Sequence, residues 1–315
     1  MILVTGATGF VGRHVVPRLL KNGRPVRCLL PPHRLRDVPW RDPPEIIEGT
    51  LLDDEALFRA MTGVHTIIHL ESAQWWGRRR DLERIETVGL RNLIAAARAA
   101  RVGRILTVSH LGASPSSGYT LMQIKGQAEE MIRASGLGYT IIRAGVIFGE
   151  EDNFINHIAM MLRINPLFFL MPGQGEVTLH PIYIDDLSEA LIRSLEAIDH
   201  VDQVLEVGGP EYITLEDLIR TVMRVTGMHR MIIPVPPYLM RWVAGFYSYV
   251  LPRSLMTPQW LDMLAMNRTT RLGSTFHHFG IRPRRLEDTM LTYMPGRHYL
   301  WPLLRYSLRR RPRGL

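Results

Sequence analysis

Ile2-Leu3-Val4-Thr5-Gly6-Ala7-Thr8-Gly9-Phe10-Val11-Gly12 is the stretch that decides the fold. A short apolar run, strand-like in length, meets glycines at 6, 9 and 12 and continues into an amphipathic stretch over 12–21. Such glycines permit a tight turn and a close backbone approach, and a helix starting there offers free N–H groups to a pyrophosphate. A lone glycine triplet is weak, but this one follows a strand, opens a helix and heads a βαβ series. It points to dinucleotide binding. The competing reading is a turn that kept its shape and lost its ligand.

On either side of that stretch the pattern repeats. Apolar runs at 26–30, 45–47, 66–70, 105–108 and 139–142 read as strands bounded by turn residues. Helix-like stretches at 55–61, 84–99 and 121–134 lie between them. The second carries Ile85, Val88, Leu93, Ala96 and Ala97 on one side and arginines on the other. This alternation implies right-handed crossovers and an α/β, Rossmann-type doubly wound parallel sheet. Residues 1–150 are assigned to that dinucleotide-binding domain, and 176–200 return to it as a strand (176–184) and a helix (185–195). Residues 151–175 and 201–290 read as a small, interleaved, mostly helical domain over the sheet's carboxyl edge. Within it, 214–226 is a helix opened by Thr214 with Asp217 three residues on, close to a capping box. Residues 291–315 form a basic aromatic tail.

Composition narrows the class. At 46% apolar and 22% charged, the 315 residues describe an ordinary globule and exclude disorder. Cys28 is the sole cysteine, so no disulfide framework or cysteine-cluster metal site is expected. The twelve histidines show no HExxH or His-x-His spacing, so no metal is expected at all. No leader is visible before the first strand, and no run reaches about 18 uninterrupted apolar residues. The expected setting is cytoplasmic. The formal net charge is +8, yet residues 289–315 hold six arginines and no acid, which leaves +2 for the first 288. Lys21 and Lys125 are the only lysines among 38 basic residues.

The choice of dinucleotide turns on the residues just after the second strand. Sites for NAD place an acid about 20 residues past the glycines, on the ribose 2′-hydroxyl. Here no acid precedes Asp37; Arg13 comes after the last glycine, and Arg34 and Arg36 come after the second strand. Guanidinium groups pair well with a 2′-phosphate, so NADP(H) is favoured over NAD(H). The alternative is that Pro31-Pro32 redirects the loop and its arginines are merely solvated.

Nine strings in order carry a resemblance over about 290 residues. They are TGATGFVG at 5–12, GTLLDDEAL at 49–57, GVHTIIHLES at 63–72, RNLIAAAR at 91–98, GRILTVSHLGAS at 103–114, SGLGYTIIRAGVIFG at 135–149, HPIYIDDLSEAL at 180–191, GGPEYITLEDLI at 208–219 and FGIRPRRLEDTM at 279–290. The chain resembles the atypical short-chain dehydrogenase/reductase superfamily, with its NmrA-like and NAD-dependent epimerase/dehydratase-like members. It looks most like the branch containing the accessory subunit of NADH:ubiquinone oxidoreductase. The resemblance implies a pyrophosphate on Gly6, Thr8, Gly9, Phe10, Val11 and Gly12, and adenine beside Thr50 and Leu51, where relatives usually have Asp-Leu. Leu70, Glu71 and Ser72 should line the cleft, although relatives carry small residues there and Glu71 is unfriendly to a phosphate.

Active members of that superfamily use a tyrosine four residues before a lysine. The lysine lowers the tyrosine pKa and holds the nicotinamide ribose while the tyrosine moves the proton. Lys125 occupies the lysine position and is read as a ribose-binding, catalytic residue, but position 121 is Leu121. Tyr119 lies six residues before Lys125, about 600° of helical rotation, and reaches the site only from a loop before the helix. Ser109, after the strand that normally carries the catalytic hydroxyl, is either a third participant or a turn cap. His110 reads as a strand-end residue before a pocket base.

Tyr299, Leu300, Trp301, Leu303, Leu304, Tyr306 and Leu308 run into Arg309, Arg310, Arg311 and Arg313. With Arg297 and Arg305, this 297–313 segment suits an anionic membrane surface or a membrane protein complex, on the inner face of the membrane. Packing on the protein's own body is the alternative. Residues 238–251, with Trp242, Phe246, Tyr247 and Tyr249, either wall a pocket, join that face or form ordinary core. Trp75-Trp76 beside Arg78-Arg79-Arg80 resembles a nucleic-acid platform, but no recognition motif supports that reading. Two functions are therefore expected in turn: a nucleotide-binding accessory, assembly or sensor protein of a membrane redox complex with a degenerate catalytic motif, or an active NADP-dependent reductase or epimerase for an apolar, quinone- or isoprenoid-like substrate.

Overall fold

The computed structural model describes residues 1–74, 78–250 and 253–308. Trp75, Trp76 and the arginines at 309, 310, 311 and 313 lie outside the described residues. The chain begins β1 (Ile2–Thr5), α1 (Phe10–Lys21), β2 (Val26–Leu30), β3 (Glu45–Glu48), α2 (Asp54–Met61) and β4 (Thr66–His69). It continues through α3 (Arg79–Glu83), a π-helical segment (Arg84–Gly89), α4 (Leu90–Ala99), β5 (Arg104–His110), α5 (Thr120–Arg133) and β6 (Gly138–Ala144). Every residue of β1 and β2 is buried, as expected of parallel strands covered on both faces. Edge strand β3 instead carries exposed Glu45 and Glu48, charges that discourage pairing with another chain.

The second half interleaves. After β7 (Ile147–Phe148) come α6 (Ile155–Ile164), β8 (Phe168–Pro172), β9 (Thr178–Leu179), β10 (Ile182–Tyr183), α7 (Ile184–Glu196) and β11 (Gln203–Val207). Then come β12 (Ile213–Thr214), α8 (Leu215–Thr226), β13 (Met231–Val235), α9 (Pro237–Val250), α10 (Pro258–Asp262), α11 (Ser274–Phe279), α12 (Leu286–Met290) and α13 (Leu300–Leu308). The expected start of α8 holds: Thr214 accepts from the Asp217 N–H at 3.1 Å.

The main sheet has seven strands in the order β11-β6-β5-β4-β1-β2-β3, every pair parallel. Chain order reverses at β1, which lies between β2 and β4, and that reversal opens a crevice at the strands' carboxyl ends. One face is closed by α1 and α7 over Val4, Val15, Leu19, Ile68, Leu187 and Leu191. The other is closed by α2, α4 and α5 over Leu3, Leu57, Ile67, Leu93, Ile105 and Ile132.

Three boundaries differ from the sequence reading. Strand β11 pairs with β6, and Phe279 and Ile281 pack into the sheet's core, so parts of 201–290 join the main sheet. The strand expected over 176–184 is cut into β9 and β10 by His180-Pro181, because proline cannot donate to a ladder. The helix expected over 84–99 starts at Arg79 and passes through the π-helical turn before α4.

Candidate functional site

The glycine loop is built by close approach. Gly6 has φ +69°, and a Cβ there would lie 2.5 Å from the Leu70 carbonyl carbon and 2.6 Å from the Glu71 nitrogen. At Gly12 a Cβ would sit 2.5 Å from the Gly6 and Ala7 carbonyl oxygens, so glycine lets α1 rest on the loop. Gly9 caps α1 without a side-chain bond, and the first turn holds no acid. The free N–H groups of that turn fit an anionic pyrophosphate.

These residues line a cleft of about 410 Å³ together with the ends of β2 and β4. Gly6, Thr8, Gly9, Phe10, Val11 and Arg13 form one wall; Arg34, Leu70, Glu71 and Ser72 face them. Of the residues expected at the dinucleotide, Gly12, Thr50, Leu51 and Lys125 are outside this lining. Leu51 is buried, its carbonyl accepting from Asn92 at 3.1 Å, and the Thr50 hydroxyl accepts from the Leu52 N–H. Arg13 donates to the Thr8 carbonyl and to Glu151, each at 2.9 Å. Arg34 lies in the turn after β2 and pairs with Asp37 at 3.1 Å. Glu71 is half-buried on the cleft floor, and burial pushes its carboxyl up to about 7, against the pull of Arg34 and the Gly6 backbone.

Lys125 is sealed beneath the cleft. Its Nζ lies 2.8 Å from Glu86 Oε1, with the two side chains only 8% and 3% exposed. The Ser72 hydroxyl donates to the same carboxylate. Glu86 was missed in the sequence, though a signal existed: 86, 90, 93 and 97 share a helix face, and the other three are Leu90, Leu93 and Ala97. An acid on an apolar stripe calls for a buried partner. His69 is likewise interior, Nδ1 2.8 Å from Thr5 Oγ1, and burial pushes it down to about 4, leaving it neutral at pH 7.

The other catalytic candidates are not at the cleft. Tyr119 precedes α5, and its hydroxyl donates to the Ala265 carbonyl at 3.3 Å, toward the small domain. Ser109 is buried, with no hydrogen-bond partner for its hydroxyl among the described residues. Leu121 is fully buried in the small domain's apolar cluster, and its N–H is held by Asp262 at 3.1 Å. His110 does line the cleft: Nε2 meets Gln74 Oε1 at 2.6 Å, and burial, then Lys125 and Arg268, hold it well below the usual histidine range. The far end is formed by Val146, Phe154, Arg253, Met263 and Tyr306. No His/Cys/Asp/Glu group among the described residues could hold a metal ion.

Two predictions test this geometry. Lys125→Met leaves Glu86 buried and unpaired, and should destabilise the fold by about 3–5 kcal/mol in urea unfolding. Adding Glu86→Leu should recover most of that loss. Nucleotide affinity should fall as pH rises through about 7, because Glu71 then becomes a carboxylate beside the phosphate site. Titrations of Glu71→Gln should show a flat profile across the same range.

The chain is similar to several known proteins. A family described as NAD(P)H-binding matches residues 6–159. The mouse mitochondrial NADH dehydrogenase (ubiquinone) 1 alpha subcomplex subunit 9 is 29% identical over 256 residues, spanning 78% of this chain and 66% of that subunit. Thus the chain covers slightly less than two thirds of that relative's length. The photosystem II assembly factor Ycf39 of Guillardia theta is 26% identical over 304 residues, covering 93% of both chains. In fold, the crystal structure of gox2253 matches with TM-score 0.72 at 23% identity, over 93% of this chain and 96% of that one. The Thermus thermophilus UDP-glucose 4-epimerase, solved with NAD, matches with TM-score 0.69 at 18% identity, over 93% and 97%. Over residues 6–159 the chain is thus similar to a family described as NAD(P)H-binding, and its seven-stranded sheet shares the fold of these solved structures.

Proposed function

We propose that the protein binds NADP(H) in preference to NAD(H) and serves a membrane redox complex as an accessory, assembly or sensing subunit, with little turnover of its own. The observation that carries this reading is the fate of the proton relay. Leu121 fills the tyrosine position and packs into the small domain, while Lys125 is bound to Glu86 and Ser72 below the cleft. A bound nicotinamide would supply hydride chemistry. The residues here bind and orient it, through the glycine loop, but offer no tyrosine to move the accompanying proton. The relatives' printed roles, a complex subunit and an assembly factor, support the same reading.

Preference for the 2′-phosphate rests on Arg34 at the end of β2 and the absence of any acid before Asp37. Asp37 is paired with Arg34 at 3.1 Å, which supports Arg34 as a positioned guanidinium. An active reductase for an apolar substrate is the second reading, favoured by Val146, Phe154 and Met263 at the far end, with His110 as its only cleft-lining histidine on β5. A cytoplasmic placement, peripheral to the membrane, belongs to the proposal. Among the described residues no helix is long and apolar enough to cross a membrane.

Calorimetric titration should detect NADPH binding that Gly9→Asp abolishes, since a carboxylate would occupy the phosphate cradle. Arg34→Gln should weaken NADPH roughly tenfold, the loss of one charge-assisted hydrogen bond, and leave NADH nearly unchanged. Binding of neither nucleotide would refute the site. In a carbonyl and quinone screen, NADPH oxidation should stay about 10²–10⁴-fold below that of an enzyme with a positioned general acid. Fast oxidation lost in His110→Gln or Tyr119→Phe would establish the reductase reading instead.

A further inference from the structure

We propose that the outer faces of α9 and α13 dock on an anionic lipid bilayer, on which the protein lies without crossing it. The inference deepens the accessory reading above and rests on it for the presence of a membrane. Helix α9 is apolar nearly all round, yet buries only Met240, Ala244 and Ser248, a single stripe at intervals of four. Trp242, 72% exposed, stacks on Phe246 at 6.2 Å and 11° on the outer side, and Tyr249 is 90% exposed. In α13, Leu303 and Tyr306 pack against the small domain's core, whereas Trp301 and Leu304 face outward. Arg253, three residues past the end of α9, lies 5.9 Å from the Tyr306 ring of α13. The Trp242, Phe246 and Tyr247 rings touch in series along α9, which marks a contact face rather than scattered exposure.

Charge selects the occupant. Residues 237–261, which include α9, and 289–308, which include α13, contain no aspartate or glutamate and carry Arg241, Arg253, Arg297 and Arg305. Asp262, which pairs with Arg241 at 2.8 Å, is itself only 1% exposed. A second copy meeting this face across a two-fold axis would set arginine against arginine. An anionic leaflet attracts every one of them, and tryptophan and tyrosine suit the headgroup level with an apolar ring and a polar tip. Because Arg253 and Tyr306 also line the cleft, docking would hold its far end beside the bilayer surface.

The test uses the full chain with vesicles of phosphatidylcholine alone and of phosphatidylcholine mixed with phosphatidylglycerol. Cosedimentation should occur with the mixed vesicles and weaken at high salt. The double variant Trp242→Glu, Phe246→Glu changes two exposed side chains, and should lower partitioning roughly tenfold or more while NADPH titration stays unchanged. Absence of binding to the mixed vesicles, or equal binding by the variant, would overturn the proposal. So would concentration-dependent dimerisation that the variant abolishes, which would give the face to a second copy. Vesicle binding without NADPH binding would instead sink the nucleotide reading and leave the docking face standing.

Discussion

Two backbones touch at Gly6. The left-handed turn after β1 comes so close to the Leu70–Glu71 peptide after β4 that no side chain fits between them. That contact exists only because β1 and β4 are parallel neighbours in register, Thr5 opposite His69. It fixes where the loop turns, hence where α1 begins and which way its free N–H groups point. It also sets Glu71 on the cleft floor, since the backbone carrying it cannot retreat. The cleft is thus a consequence of sheet order, and its chemistry is added by whichever residues end β2, β4 and β5.

Beneath the cleft the protein keeps charges in closed pairs. Lys125 with Glu86, and Glu129 with Arg143 at 2.7 Å, hold carboxylates that are almost fully buried. Such pairs contribute little net stability, but either partner alone would be a large penalty. Arg268 departs from this pattern. Its guanidinium is fully buried without a hydrogen-bond partner among the described residues, and burial pushes it down to about 10.

Much of the dinucleotide-binding half was legible because its signals are local. Glycines at a strand-to-helix junction and apolar runs of strand length need no distant partner to be read. What stayed hidden depends on contacts far apart in sequence. Strand β11 is an edge strand with only Leu205 and Val207 buried, and its pairing partner β6 lies about 60 residues earlier. Glu86 looked like one polar residue of a helix until the π-helical turn aimed it at Lys125, 39 positions away. The tail's described part, with Tyr299 buried and Arg297 bonded to the Glu150 carbonyl at 2.7 Å, packs on the protein's own body while turning Trp301 outward. Own-body packing therefore accounts for the inner face of the tail, and the outer face is the one proposed to meet lipid.

Leu121 is more than a missing hydroxyl. Its side chain fills the small domain's core, and its N–H is anchored by Asp262, which Arg241 holds from α9. Through these contacts position 121 ties α5 to α9 and α10. A tyrosine returned to it would meet a packed apolar interior and overfill it. The packing around position 121 therefore leaves room for leucine and not for a larger polar ring.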